Sequence, residues 1–185
     1  MKKSQMFRWM VFILSIQLIS PVTYSQVIEV TGGIGYTAVN IDQWYGTEKY
    51  GATLLDWSHF SGYVTAQGFY ALNKTLSIGI GAGYQYLFWY DIKTYSGSYY
   101  EYEVDAFRLT ALARLNFKNN FIDFGFGTFL FEDSNDFASV VSFGHSFRLT
   151  DKLALPVKVN CNAIFDKSSI VAPVTLGIGL SYKIK

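Results

Sequence analysis

The chain has 185 residues with 15 Lys and Arg against 14 Asp and Glu, a balance that offers no basic field to a nucleic acid. Half of the residues are hydrophobic and only 16% are charged, where a soluble domain carries about 25%, so a solvent other than water covers much of the surface. The single cysteine, Cys161, excludes an intramolecular disulfide, and two histidines on separate segments give no recognisable metal-ligand spacing.

Lys2, Lys3 and Arg8 precede an apolar run at 9–19, and small residues follow at Thr23 and Ser25. That order is the pattern of a secretory signal peptide over 1–25, with cleavage after Ser25 and a single domain over 26–185. The apolar run is about half of the ~20 residues a spanning helix needs, and no second long apolar segment follows. Cleavage removes three of the fifteen basic residues and none of the acidic ones, leaving twelve against fourteen.

From residue 27 onward the hydrophobic period is two, which predicts strands at 27–39, 58–72, 76–90, 101–117, 121–131, 137–149, 153–165 and 170–184. Three polar triplets between apolar residues, at 73–75, 118–120 and 150–152, predict tight turns. Longer irregular segments at 40–57, 91–100, 132–136 and 166–169 alternate with those turns. The expected fold is all-β: a closed antiparallel eight-stranded transmembrane β-barrel with up-and-down meander order. Short turns face the periplasm in outer-membrane barrels, which puts the longer loops outside.

Each strand divides into two faces. Ile28, Val30, Ile34 and Tyr36 oppose Glu29, Thr31, Gly33, Gly35 and Thr37. Ile78 and Ile80 oppose Ser77, Gly79, Gly81 and Gly83, and Leu176, Ile178 and Leu180 oppose Gly177, Gly179 and Ser181. Glycine weakens strands, yet it repeats on the polar face. An eight-stranded barrel is only wide enough for side chains to fill. The glycines are therefore expected where bulky neighbours cross the interior: Tyr63, Gln67, Phe69, Arg108, Leu112, Arg114, Lys158, Asn160 and Asn162. A soluble barrel would need the polar face in water, and that face is thin in Lys and Glu. Two aromatic girdles are expected, Trp57, Trp89 and Tyr90 on the loop side and Tyr70, Phe117, Phe121, Phe147 and Tyr182 on the turn side. Arg114 with Asp123, and Glu29 with Lys183 across the closing seam, are expected to pair in the lumen, with Arg148 and Lys158 adding positive charge nearby.

With eight strands in place, the chain resembles the small outer-membrane barrels that include OmpX-like proteins and the barrel domain of OmpA. The segment 107–117, FRLTALARLNF, is similar to the fourth strand of Bacteroidetes-type outer-membrane barrels, with TALA where a proline-leucine run is usual. Gly179, Tyr182 and Ile184 resemble the C-terminal signal read by the barrel-assembly machinery, with Ile178 in place of a polar residue and Lys185 after the last apolar one. The resemblance implies location in the bacterial cell outer membrane, contact with its lipid and lipopolysaccharide, and the assembly machinery as a partner during biogenesis. It implies no particular activity, and no cofactor.

Two candidate sites remain. His59 and Ser61 place an imidazole and a hydroxyl on one strand face, which resembles part of the site of the lipid A deacylases. They stand on an early strand, no carboxylate follows to orient the base, and alternation turns both inward; a lipid-acting enzyme is the alternative to a non-enzymatic protein. The loops carry the stronger pattern. Trp44, Tyr45, Tyr50 and Trp57 in 40–57, with Tyr95, Tyr99, Tyr100 and Tyr102 in 91–102, have the aromatic, Ser and Gly composition of an adaptable binding surface for an extracellular ligand or protein.

Overall fold

The computed structural model describes residues 26–39, 52–132, 134–165 and 170–184. The signal segment 1–25 and the loop residues 40–51 and 166–169, with Trp44, Tyr45 and Tyr50, lie outside the described residues. Nine strands follow in order: β1 Gln26–Ala38, β2 Ala52–Ser58, β3 Phe60–Ala71, β4 Leu76–Thr94, β5 Tyr99–Phe117, β6 Asn120–Leu130, β7 Asn135–Arg148, β8 Leu153–Phe165 and β9 Ile170–Lys183. β2 and β3 are two lengths of one wall strand, interrupted at His59. The walls therefore number eight. Each pairs antiparallel with its chain neighbours, and β1 closes the ring on β9 from Val27 opposite Lys183 to Ala38 opposite Ala172.

Alternation sends one set of side chains out. Ile34, Phe126, Phe143 and Leu176 are about 60% exposed, at 63%, 62%, 60% and 59%, and belong to a belt of apolar residues that surrounds the barrel. Water would make such a belt costly, and hydrocarbon would not. On β5 the outward positions are apolar from Phe107 to Phe117, matching the ~9–11 residues of a tilted crossing. Cys161 stands exposed on this outer face, opposite Val141 and Val174.

The other set fills the lumen, and its large members lie over the glycines. A methyl at Gly177 would collide with the Tyr63 hydroxyl, and one at Gly33 would stand 2.6 Å from the same ring. Phe69 covers Gly79 at 2.6 Å, and Phe121 occupies the space where Gly144 has no side chain. At these four positions glycine is the complement of an aromatic ring, while at Gly35, Gly83 and Gly125 an added Cβ would meet the backbone of the neighbouring strand.

Near the three short turns lies a compact ionic network. Arg114 donates to Asp123 from Nε at 2.6 Å and Nη2 at 2.8 Å, and to Glu29 from Nη1 at 2.9 Å. Lys158 Nζ donates at 2.7 Å to Glu29 and at 2.7 Å to Gln67. The guanidinium lies 3.8 Å from the Phe69 ring centroid and 4.0 Å from that of Phe121. Two cations meet two carboxylates, as a sealed interior demands. Higher up, Arg108 lies 5.0 Å from the Tyr63 ring and donates to Gln85 Oε1 at 3.2 Å, which Asn162 also engages at 3.3 Å. Above that level the lumen turns apolar: Leu87, Phe88, Tyr90, Ile92, Phe129, Ile164 and Val171 pack together and close the loop end.

Several expectations change. Glu29 pairs with Arg114 and Lys158 rather than Lys183, because in the seam register Glu29 stands opposite Ser181 while Lys183 is exposed at the rim. Arg148 is outside the lumen and binds Asp151 in the β7–β8 turn. Phe121 faces inward with Asp123, two residues along the same strand, and so leaves the girdle. Phe117, Phe147 and Tyr182 remain exposed at the turn end, as expected of a girdle. A β-bulge between Tyr86 and Phe88 inserts one residue, buries both Leu87 and Phe88, and reverses the parity beyond it. Tyr90 is consequently inside.

Glu29→Gln, which leaves Lys158 without a carboxylate, should cost about 3–5 kcal/mol in urea unfolding of the refolded barrel, whereas Arg148→Gln, at an exposed pair, should cost under ~1 kcal/mol. Gly81→Leu should overpack the lumen, since its Cβ would stand 2.7 Å from Thr110 Oγ1 and 3.0 Å from Gln67 Cγ. The expected loss is ~1–3 kcal/mol in the same assay, while Ile80→Leu on the lipid face should be almost silent.

Candidate binding surface at the loop end

β4 and β5 have 19 residues each, where β1 and β8 have 13 and β6 has 11. The surplus projects past the barrel wall at the loop end. β5 pairs with β6 only as far as Phe107 opposite Leu130, whereas its pairing with β4 continues to Tyr99 opposite Lys93. In the described sheet, Tyr99–Ala106 therefore pair on one side alone. On the other side of the hairpin, β2 extends the sheet by pairing Ala52–Ser58 with Thr94–Trp89.

The segments 91–94 and 99–100, expected as loop, are strand; Tyr and Thr favour the pleated conformation, and each finds a partner across the hairpin. Only 95–98 turn the chain. Thr94 N donates to Ser98 O at 3.0 Å and Gly97 N to Thr94 O at 2.9 Å, with Thr94 Oγ1 and Ser96 Oγ 2.7 Å apart. Gly97 has φ 89°, a left-handed value that a residue with a side chain rarely adopts.

The extension has two unlike faces. Tyr100 and Tyr102 lie on the side that continues the lumen, and Tyr102 stacks on Tyr90 with ring centroids 5.3 Å apart, joining the aromatic surface to the apolar cap below. The opposite side carries Glu101, Glu103 and Asp105 in a column along β5, beside Asp91 of β4. Asp105 accepts a hydrogen bond from the Tyr84 hydroxyl. Lys93 lies 5.0 Å from the Tyr99 ring on that same side. Tyr95, at the tip, is 82% exposed. The four tyrosines thus do not form one patch. Trp57 stands in β2 opposite Tyr90 in the register. Among the described residues, no group of three or more His, Cys, Asp or Glu is placed to hold a metal ion.

The structure also places His59 and Ser61. The strand break at His59 interrupts alternation: His59 Nδ1 lies 2.8 Å from Thr37 O, and the ring stacks at 4.8 Å on Tyr36 of the outer face, not inward as parity implied. Ser61 is buried in the lumen and donates to Tyr86 O at 2.8 Å. The imidazole and the hydroxyl thus have different partners. The acidic column was legible in the sequence as three carboxylates at alternate positions, 101, 103 and 105, but the bulge that fixes which side its neighbours on β4 face was not.

Gly97→Val should cost about 1–2 kcal/mol at the hairpin tip from backbone strain alone, because nothing lies within 4 Å of the added Cβ. Faster hydrogen exchange of the Thr94 amide, with the heat-dependent electrophoretic shift of the barrel unchanged, is the expected reading.

No family model matches the chain, and no curated protein sequence matches it. Solved structures do match. Neisserial surface protein A has a TM-score of 0.57 at 11% identity, covering 86% of this chain and 97% of that one. The outer membrane protein OprG from Pseudomonas aeruginosa has a TM-score of 0.56 at 10% identity, covering 87% and 96%. At such identity the likeness establishes the fold, and it agrees with the apolar belt and the closed sheet: the chain is an eight-stranded β-barrel of the outer-membrane type.

Proposed function

We propose that this barrel is a non-enzymatic surface protein, seated in outer-membrane lipid and lipopolysaccharide, that binds an extracellular partner through the β2–β4–β5 extension. The observation that carries the reading is the edge of β5. Among the described residues no strand pairs with one side of Tyr99–Ala106, and the same stretch holds Glu101, Glu103 and Asp105. Such an edge accepts an extended chain through main-chain hydrogen bonds, with side chains read at alternate positions. The carboxylates favour a partner whose side chains are cationic. The filled lumen supports binding over transport, since the ionic network and the apolar cap close it at two levels.

The test uses a labelled decapeptide of alternating Lys and Val against the refolded barrel. Glu101→Gln with Glu103→Gln, both exposed, should leave the heat-dependent electrophoretic shift intact and weaken peptide binding by about tenfold or more. Equal binding by the double variant would remove the acidic β5 edge as the binding surface.

A further inference from the structure

The turn end of the barrel opens into a bowl of 730 Å³. Its rim carries Lys74 from the β3–β4 turn, Lys118 from the β5–β6 turn, Arg148 and Lys152 at the β7–β8 turn, and Lys183 from the end of β9. The one acidic residue there, Asp151, is bound to Arg148. The four lysines make no salt bridge among the described residues. At the loop end the sign is reversed, with Asp56, Asp91, Glu101, Glu103 and Asp105 around Lys93. Among the described residues the charge is therefore polarised along the barrel axis, and the basic pole is concave.

The floor of the bowl is closed. Arg114 lines it with both carboxylate partners in place, between the Phe69 and Phe121 rings. A ligand entering from this side must leave by the same side, so the bowl can dock a molecule but does not pass it on. Short turns face the periplasm in barrels of this type, which sets the source of the ligand.

We propose that this bowl is a docking site for an acidic peptide segment of a periplasmic protein. The cations come from three turns and the closing seam, spread around the rim, so a single point anion would reach only a few of them. An extended chain with carboxylates at intervals can meet several at once. The lining between the cations is mixed: Leu72, 44% exposed, with Leu153, Val27 and Ala71 supplies apolar surface, and Asn73, Asn116, Asn120 and Ser181 supply amides and hydroxyls. Such walls suit an extended peptide, whose aliphatic side chain and backbone groups can both be met. This site lies at the opposite pole from the β5 edge and does not depend on that surface being a binding site.

The test is fluorescence anisotropy of a labelled decapeptide of alternating Glu and Gly with one central Leu, titrated with the barrel in phosphatidylcholine nanodiscs. Binding is expected, and it should weaken as salt rises. Replacing Lys74, Lys118, Lys152 and Lys183 together by Gln should weaken it by about tenfold or more. Glu101→Gln with Glu103→Gln at the other pole should leave it unchanged. All four lysines are exposed turn or rim residues, so the heat-dependent shift should survive; Lys74→Gln with Lys152→Gln alone provides a milder variant with an intermediate loss. The proposal falls if the peptide does not bind, or if the fourfold variant binds it equally. It also falls if millimolar inorganic phosphate displaces the peptide completely, which would make the bowl a point-anion site. Loss of peptide binding when phosphatidylglycerol replaces phosphatidylcholine would assign the lysines to lipid headgroups instead.

Discussion

The ion cluster of Glu29, Arg114, Asp123 and Lys158 is the constraint around which the interior is arranged. It draws one residue from each of β1, β5, β6 and β8, and Gln67 adds β3. The larger cluster of buried apolar side chains is the cap at the loop end, and below it ion pairs tie opposite walls together. Charges that would be costly alone become cross-lumen ties when every one is paired. The cluster is neutral and sits between aromatic rings, so removing one member leaves a buried charge without its partner.

The glycines follow from the same crowding. Tyr63 lies over Gly33 on the neighbouring strand and Gly177 on the next, and Phe121 lies over its cross-strand partner Gly144, because a ring and a Cβ cannot share that space on the crowded inner face. Lumen volume is thus divided unevenly among strands, small residues on β1, β4 and β9 beside large ones on β3, β5 and β8. The lipid face has no such restriction, which is why its residues vary among Val, Ile, Leu and Phe with little consequence for shape.

Beyond the membrane belt the same sheet serves another purpose. One extra residue at Leu87 reverses the alternation of β4, brings Phe88, Tyr90 and Ile92 inside, and caps the lumen with an apolar cluster. The hairpin then continues outward with an aromatic face tied to the cap and an acidic face turned away from it. The cations gather at the opposite end, on turns and on the last strand. A barrel closed at both levels has only its two rims with which to meet soluble partners, and here the rims differ in sign.

The sequence by itself determined the eight walls, the three short turns and the identity of the two faces. A strand side chain points in or out with period two, and lipid outside against a crowded lumen makes the wrong assignment costly. Arg114 with Asp123 was legible for the same reason, both being inward residues flanking one turn. Only the tertiary structure decided that Glu29 joins Arg114 and Lys158 rather than Lys183, because partners across a lumen depend on how the ring closes, not on neighbours in the chain. It also decided that Tyr90 lies inside and that 91–94 and 99–100 are strand. A bulge shifts parity by one residue without a distinctive local composition, so its effect appears only where two strands are laid in register.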